Sequence, residues 1–163
     1  MFNENISGGV TPMNEELLAI KKFITRPVEV LLIEDDPVDA RIVKEFLKES
    51  EDTRFNVTCR SRLSEGVTAI SQMEFDVVIL DLALPDSLGF NTFRELRAKV
   101  PTIPIIVLTG SSFQRDELRK LLDNTQNYLV KGYIDSISLV STIFEAIELL
   151  ITDSKPSYHT AFA

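Results

Sequence analysis

Cysteine is nearly absent from this sequence, which has 163 residues and a single cysteine at position 59. One cysteine excludes an internal disulfide and fits a reducing compartment. No apolar run reaches the length of a membrane span, and the first thirty residues lack the basic and then apolar order of a secretory signal. We therefore expect a cytoplasmic protein that does not bind membranes.

Positive charge is also scarce. Lysine and arginine number 17 against 25 aspartates and glutamates, and the formal charge is −8. A negative field repels phosphates, so we expect no binding to nucleic acid. Neither a P-loop nor a G-x-G-x-x-G motif follows the first predicted strand, which argues against a flavodoxin-like protein that binds nucleotides.

Apolar runs of strand length alternate with amphipathic stretches of helix length after residue 27. Strands are predicted at 28–33, 54–60, 75–80, 104–109 and 128–130. Helices are predicted at 37–49, 63–73, 88–99, 113–123 and 136–151. Five such units predict an α/β fold, a doubly wound parallel sheet with helices on both faces. Sheets of this kind bind ligands beyond the carboxyl ends of their strands.

One domain is predicted over 28–152, with an N-terminal extension at 1–27 and a flexible C-terminal tail at 153–163. The tail contains the single histidine, His159, which we interpret as a tail residue and not as a phosphorelay histidine. Apolar residues of the extension have the 4-3-4 spacing of a short amphipathic helix: Met13, Leu17, Ile20 and Ile24.

Acidic side chains follow two predicted buried strands. After the first strand, Asp36 before Pro37 is typical of a helix N-cap, which leaves Glu34 and Asp35 unexplained by capping. After the third strand, Asp81 precedes a segment that does not look like a helix start. If these strands are neighbours, the carboxylates converge and their repulsion raises their pKa values unless a cation is present. Magnesium suits such a group of oxygens.

Two further polar residues end strands. Thr109 ends the fourth predicted strand and Lys131 follows the fifth. Each has an ordinary interpretation, the first as a strand or turn residue and the second as a solvated surface charge. Beside the acids, they complete a site for a phosphoryl group on a carboxylate: nucleophile, metal, hydrogen-bond donor and counter-charge.

These strand ends resemble those of the receiver domains of two-component response regulators, of the chemotaxis-regulator type. The residues that carry the resemblance are the pair Glu34-Asp35, Asp81 in DLALPD, Thr109 in VLTGSS, and Tyr128 and Lys131 in NYLVKG. The resemblance covers about residues 28–152 and implies a flavodoxin-like (βα)5 fold with strand order 2-1-3-4-5.

The resemblance implies a signalling phosphoacceptor and not an enzyme. Asp81 would accept a phosphoryl group from a histidine kinase or a histidine phosphotransfer protein. Asp35, Asp81 and the backbone carbonyl of Ala83 would hold Mg²⁺, with Glu34 acting through water.

The resemblance also implies a switch. Thr109 would bond a phosphoryl oxygen and Lys131 would pair with it. Tyr128 would turn inward and remodel the face formed by the predicted helix 113–123, the fifth strand and the last helix. Many family members have a proline after the lysine, whereas this sequence has Gly132, so a cis-proline turn is not expected.

The last predicted helix is apolar over roughly half its circumference, which is wider than one core-facing stripe needs. Its apolar residues are Ile137, Leu139, Val140, Ile143, Phe144, Ala146, Ile147, Leu150 and Ile151. Generous core packing explains this pattern, and so does contact with the N-terminal extension, a kinase or a second copy of the chain. Among the contacts we favour a homodimer through this helix.

Two alternative functions fit the sequence less well. A receiver that acts as a scaffold without phosphorylation usually lacks a key residue, and none is missing here. A haloacid-dehalogenase-type phosphatase with an aspartyl-phosphate intermediate would need a second aspartate where this sequence has Ala83. The sequence does not identify the kinase, the downstream target or an output domain.

Overall fold

A computed structural model describes residues 25–110 and 127–153. The predicted helix at 113–123, the predicted N-terminal amphipathic helix and the tail after residue 153 lie outside these residues.

Five parallel strands form the main sheet, and two short strands form a separate hairpin. The main strands are β1 (Val28–Ile33), β2 (Phe55–Arg60), β3 (Val77–Asp81), β6 (Ile105–Thr109) and β7 (Tyr128–Val130). Their spatial order is β2-β1-β3-β6-β7, which reads 2-1-3-4-5 when the main sheet alone is counted. The order reverses between β1 and β3, so their carboxyl ends lie side by side at the switch point.

Four described helices cover the two faces of the sheet. They are α1 (Pro37–Lys48), α2 (Leu63–Gln72), α3 (Phe90–Lys99) and α4 (Ser136–Asp153). Helices α1 and α4 pack over one buried cluster, through residues such as Val43 and Ile143. Helices α2 and α3 pack over the other, through residues such as Ala69 and Leu96. The doubly wound α/β fold is therefore confirmed. Within the described ranges, no helix is long and apolar enough to cross a bilayer.

The hairpin is a feature that the sequence analysis missed. Strands β4 (Ala83–Leu84) and β5 (Ser87–Leu88) pair antiparallel around a two-residue turn. The backbone N–H of Gly89 then donates to Leu82 O at 2.7 Å and closes the segment. Because the hairpin occupies these residues, α3 begins at Phe90 and not at 88 as predicted.

Helices α1 and α2 are capped in different ways. The Asp36 carboxylate accepts hydrogen bonds from the backbone N–H groups of Val38 and Asp39, as the N-cap prediction requires. Arg62, at the same position before α2, makes no side-chain capping bond. The hairpin residue Asp86 supplies the cap instead, which fixes the hairpin to the start of α2.

Most of the wide apolar surface of α4 packs in the hydrophobic core. Leu139 and Ile143 are fully buried against the sheet, with Ala146 and Ile147 nearly so. Ile137, at 81% exposure, points into solvent.

Candidate functional site

The two buried carboxylates of the site are placed by neighbouring strands. Strands β1 and β3 pair in parallel with Ile33 opposite Leu80, so the next residues, Glu34 and Asp81, are also neighbours. Glu34 is 4% exposed and Asp81 is 2% exposed, while Asp35 is open to solvent. The carboxyl ends of the central strands therefore place two acids in the buried part of the site and a third, Asp35, at its solvent-exposed opening.

The three carboxylates are close enough to share one cation. One oxygen from each of Glu34, Asp35 and Asp81 lies within 4.8 Å of the others. Oε2 of Glu34 is fully buried, and its contact with the Lys131 ammonium is a charge contact without the alignment of a hydrogen bond. A buried oxygen without an aligned donor beside two other hard oxygens fits Mg²⁺.

Ala83 lies next to this group. Its backbone N–H donates to Oδ1 of Asp81 at 3.3 Å. The first hairpin strand thus starts against the Asp81 carboxylate.

Lys131 provides the counter-charge and contacts three carboxylates. Its Nζ lies 2.8 Å from Oε2 of Glu34, 2.9 Å from Oδ2 of Asp39 and 3.2 Å from Oδ2 of Asp81. Lys131 and the predicted acids are therefore brought together. The contact with Asp39 is not predicted by the sequence, because an acid in the first turn of a helix is explained by the helix dipole alone.

The burial of the site controls its protonation. Burial raises the pKa of Glu34 to about 7, and this outweighs the lowering by the Lys131 ammonium and the Asp36 backbone N–H. Burial likewise raises the pKa of Asp81 against the opposing effect of Lys131. Burial alone would lower the pKa of Lys131, but Glu34, Asp39 and Asp81 together raise it, so the ammonium stays charged. Lys131 and the neighbouring N–H groups thus do not fully offset the burial of negative charge on Glu34 and Asp81.

A tight turn after β7 brings Lys131 to the acids. The backbone N–H of Lys131 donates to Thr109 O at 2.8 Å, and Thr109 is paired with Val130 and 2% exposed. Gly132 follows with φ +84°, a conformation that favours glycine, and a Cβ there would have no atom within 4 Å. The glycine is thus favoured by the backbone angle and not by a lack of space.

Tyr128 is not part of this cluster. It begins β7 opposite Val107, two residues before the strand end, and its side chain is 37% exposed. Asp35 and Ala83 are also exposed, but they lie beside the Asp81 carboxylate, whereas Tyr128 lies two residues before the end of its strand.

The sequence matches a known family over most of its length. Residues 30–144 match the family model of the response regulator receiver domain. The chain belongs to that family, and the predicted resemblance is confirmed.

Two relatives illustrate the match. The chain is 28% identical to a Mycobacterium tuberculosis protein named as a probable transcriptional regulatory protein, TcrX, over 78% of this chain and 58% of the relative. It is 33% identical to the cell cycle response regulator CtrA of Brucella ovis, over 65% of this chain and 44% of the relative. The chain thus spans about half the length of these regulators.

A solved structure shares the fold. The receiver domain of the sensor histidine kinase PA1611 from Pseudomonas aeruginosa PAO1 superimposes with a TM-score of 0.63 at 27% identity, over 75% of this chain and 98% of that domain. That structure has a magnesium ion coordinated in its active site cleft.

Proposed function

We propose that this receiver domain accepts a phosphoryl group on Asp81 from a histidine kinase or a histidine phosphotransfer protein. The observation that carries the proposal is the position of Asp81. It is a buried carboxylate at the end of a central strand, 3.2 Å from the Lys131 ammonium and grouped with Glu34 and Asp35. A carboxylate held at a fixed point favours in-line attack, which depends mostly on positioning and charge neutralisation.

The transfer forms one bond and breaks another. A carboxylate oxygen of Asp81 attacks the phosphorus atom, and the bond from phosphorus to the donor breaks with its electron pair left on the donor. Lys131 neutralises charge on the phosphoryl oxygens, and the Thr109 hydroxyl donates a hydrogen bond to one of them. The domain thus catalyses at most its own phosphorylation and dephosphorylation.

The acids at the edge of the sheet suit Mg²⁺ as cofactor. Asp35, Asp81 and the carbonyl of Ala83 would hold the ion, with Glu34 acting through water. When bound, the ion offsets the repulsion between the carboxylates and the incoming phosphoryl group. The incompletely compensated charge of Glu34 and Asp81 supports this assignment.

Incubation with acetyl phosphate tests the proposal. Intact mass would be measured with and without Mg²⁺ for the wild type, for Asp81→Asn, and for Asp52→Asn as a control with the same loss of charge. We expect one phosphoryl adduct that requires Mg²⁺, is present in the control and is absent from Asp81→Asn. An adduct of equal yield in Asp81→Asn would refute the proposal. If no adduct forms and the phosphoryl mimic beryllofluoride also fails to bind, the domain is a scaffold that does not use phosphorylation.

Phosphorylation of Asp81 would change the shape of one surface of the domain. Thr109 would move toward the phosphoryl group and Tyr128 would turn inward from its exposed position at the start of β7. The remodelled face would consist of the segment 113–123, β7 and α4. NMR of the phosphorylated domain tests this, because unchanged chemical shifts around Tyr128 would exclude the mechanism.

We further propose a homodimer through α4 and a cytoplasmic location. The exposed Ile137 and the partly exposed Leu149 support an apolar contact on this helix. Sedimentation that shows a monomer at high concentration, with and without phosphorylation, would refute the dimer.

A further inference from the structure

The Lys131 ammonium has a partner that does not belong to the acids at the strand ends. Oδ2 of Asp39 lies 2.9 Å from Nζ, nearly as close as Oε2 of the buried Glu34 at 2.8 Å and closer than Oδ2 of Asp81 at 3.2 Å. The Asp39 side chain is 33% exposed and the Lys131 side chain is 21% exposed, so this contact lies at the mouth of the site.

The helix does not need the Asp39 carboxylate for its cap. Asp36 already accepts the backbone N–H groups of Val38 and Asp39, at 2.7 and 3.2 Å. A negative charge in the first turn contributes through the helix dipole wherever its oxygens point. The direction of the Asp39 side chain toward Lys131 therefore has a second explanation.

We propose that Asp39 is a positioning residue for Lys131 in the phosphoryl transfer, an inference that rests on the proposed function. An ammonium has three N–H donors and no acceptor. The N–H group directed to Asp81 has the alignment of a hydrogen bond, whereas Glu34 and Asp39 hold the ammonium through charge contacts at 2.8 and 2.9 Å. The N–H group directed to Asp81 is the one that a phosphoryl oxygen would take over when the group is transferred.

Loss of the Asp39 charge releases the ammonium to its other partners. Without Asp39, the attraction of Glu34 and Asp81 draws the ammonium further toward the buried carboxylates. Lys131 then neutralises the attacking carboxylate more strongly and offers less charge to the incoming phosphoryl group. Phosphoryl transfer therefore becomes slower even when Mg²⁺ is saturating, because Asp39 is not among the residues proposed to hold the ion.

A double-mutant cycle tests this assignment. The variants are Asp39→Asn, Lys131→Met and the double variant, with Asp52→Asn as the control for charge; Asp52 is exposed and makes no hydrogen bond or ion pair with the described residues. The rate of adduct formation with acetyl phosphate is measured over a range of Mg²⁺ concentrations. We expect Asp39→Asn to lower the rate at saturating Mg²⁺ by roughly tenfold, and to have little effect in the Lys131→Met background, because residues that act together are not additive.

NMR provides a readout that does not depend on turnover. The side-chain resonances of Lys131 should shift in Asp39→Asn and stay unchanged in Asp52→Asn.

Each failure has a distinct meaning. If the wild type takes up no phosphoryl group on Asp81, the proposed function fails and this inference fails with it. If the wild type is phosphorylated and Asp39→Asn reacts at the wild-type rate, the inference alone is refuted. The inference is also refuted if Asp39→Asn lowers the rate equally in the Lys131→Met background, which indicates a structural effect on α1. It is refuted as well if saturating Mg²⁺ restores the rate, which indicates a role in metal binding.

Discussion

Replacement of Asp86 by alanine should destabilise the domain through α2, although Asp86 is not part of that helix. Its carboxylate accepts three hydrogen bonds: from the backbone N–H of Leu63 at 2.8 Å, from the backbone N–H of Ser64 at 3.0 Å and from the Ser64 hydroxyl at 2.8 Å. The residue at the N-cap position, Arg62, makes no side-chain capping bond. Asp86 is thus the side chain that caps α2, from more than twenty residues away in the sequence.

The magnitude follows from the capping role. Loss of a side-chain N-cap costs about 1 kcal/mol. The hydrogen bond from the Ser64 hydroxyl adds a fraction of that, because it lies at an exposed position. A loss of about 1 to 2 kcal/mol in a domain of this size lowers the melting temperature by roughly 4 to 8 °C. The hydrogen bonds from Ser64 and Leu63 also hold the pKa of Asp86 below its ordinary value, against the effect of burial.

Urea denaturation and amide hydrogen exchange would measure the effect. We expect Asp86→Ala to lower the free energy of unfolding and to speed exchange in the first turn of α2, at Leu63 and Ser64. Asp52→Ala serves as a control, since Asp52 is an exposed acid that makes no hydrogen bond with the described residues. Equal stability and equal exchange of the α2 amides in Asp86→Ala and the control would refute the capping role.

Three further predictions concern packing, pH and backbone conformation. A Cβ at Gly66 would clash with Cδ1 of the fully buried Ile33, so Gly66→Ala should cost about 1 to 3 kcal/mol in urea denaturation. Ile33→Val removes that atom and should restore part of the loss, and strict additivity of the two changes would contradict the contact. The Asp76 carboxylate pairs with Arg26 at 2.6 Å and accepts a hydrogen bond from the backbone N–H of Glu29. Burial raises the pKa of Asp76, but these two interactions outweigh it and lower the pKa. The stabilisation by Asp76 is therefore present above about pH 4 and is lost as the pH falls through the lower pKa of the folded state. The melting temperature of Asp76→Asn should then vary less with pH than that of the wild type in this acid range. An equal dependence on pH in the two proteins would be evidence against the pairing of Asp76 with Arg26. Gly132→Ala should lower stability by about 1 kcal/mol through its positive φ without a steric clash, whereas a cost well above that would mean that the turn is more crowded than described.

Features within single elements could be predicted from the sequence. The apolar runs of β1, β3 and β6 reflect burial on both faces, and this pattern predicted the doubly wound sheet. Because the carboxyl ends of parallel strands meet at one edge, the positions of Glu34, Asp81 and Lys131 followed from the strand ends alone.

Contacts between distant segments could not be predicted in this way. Asp39 and Lys131 are far apart in the sequence and meet because α1 and the turn after β7 lie at the same end of the sheet. Asp86 caps α2 because the hairpin folds back over it. A short hairpin has too few residues for an alternating pattern to be visible, and an acid in a first turn looks the same whether or not it has a distant partner.

The central claim is that the strand ends assemble a phosphoacceptor site around Asp81, and location of the phosphoryl group tests it most directly. The domain would be phosphorylated with acetyl phosphate and Mg²⁺, digested and analysed by peptide mass spectrometry, with hydroxylamine treatment to identify an acyl phosphate. We predict a single hydroxylamine-sensitive group on Asp81. A hydroxylamine-resistant group, or one on any other residue while Asp81 remains unmodified, would contradict the account.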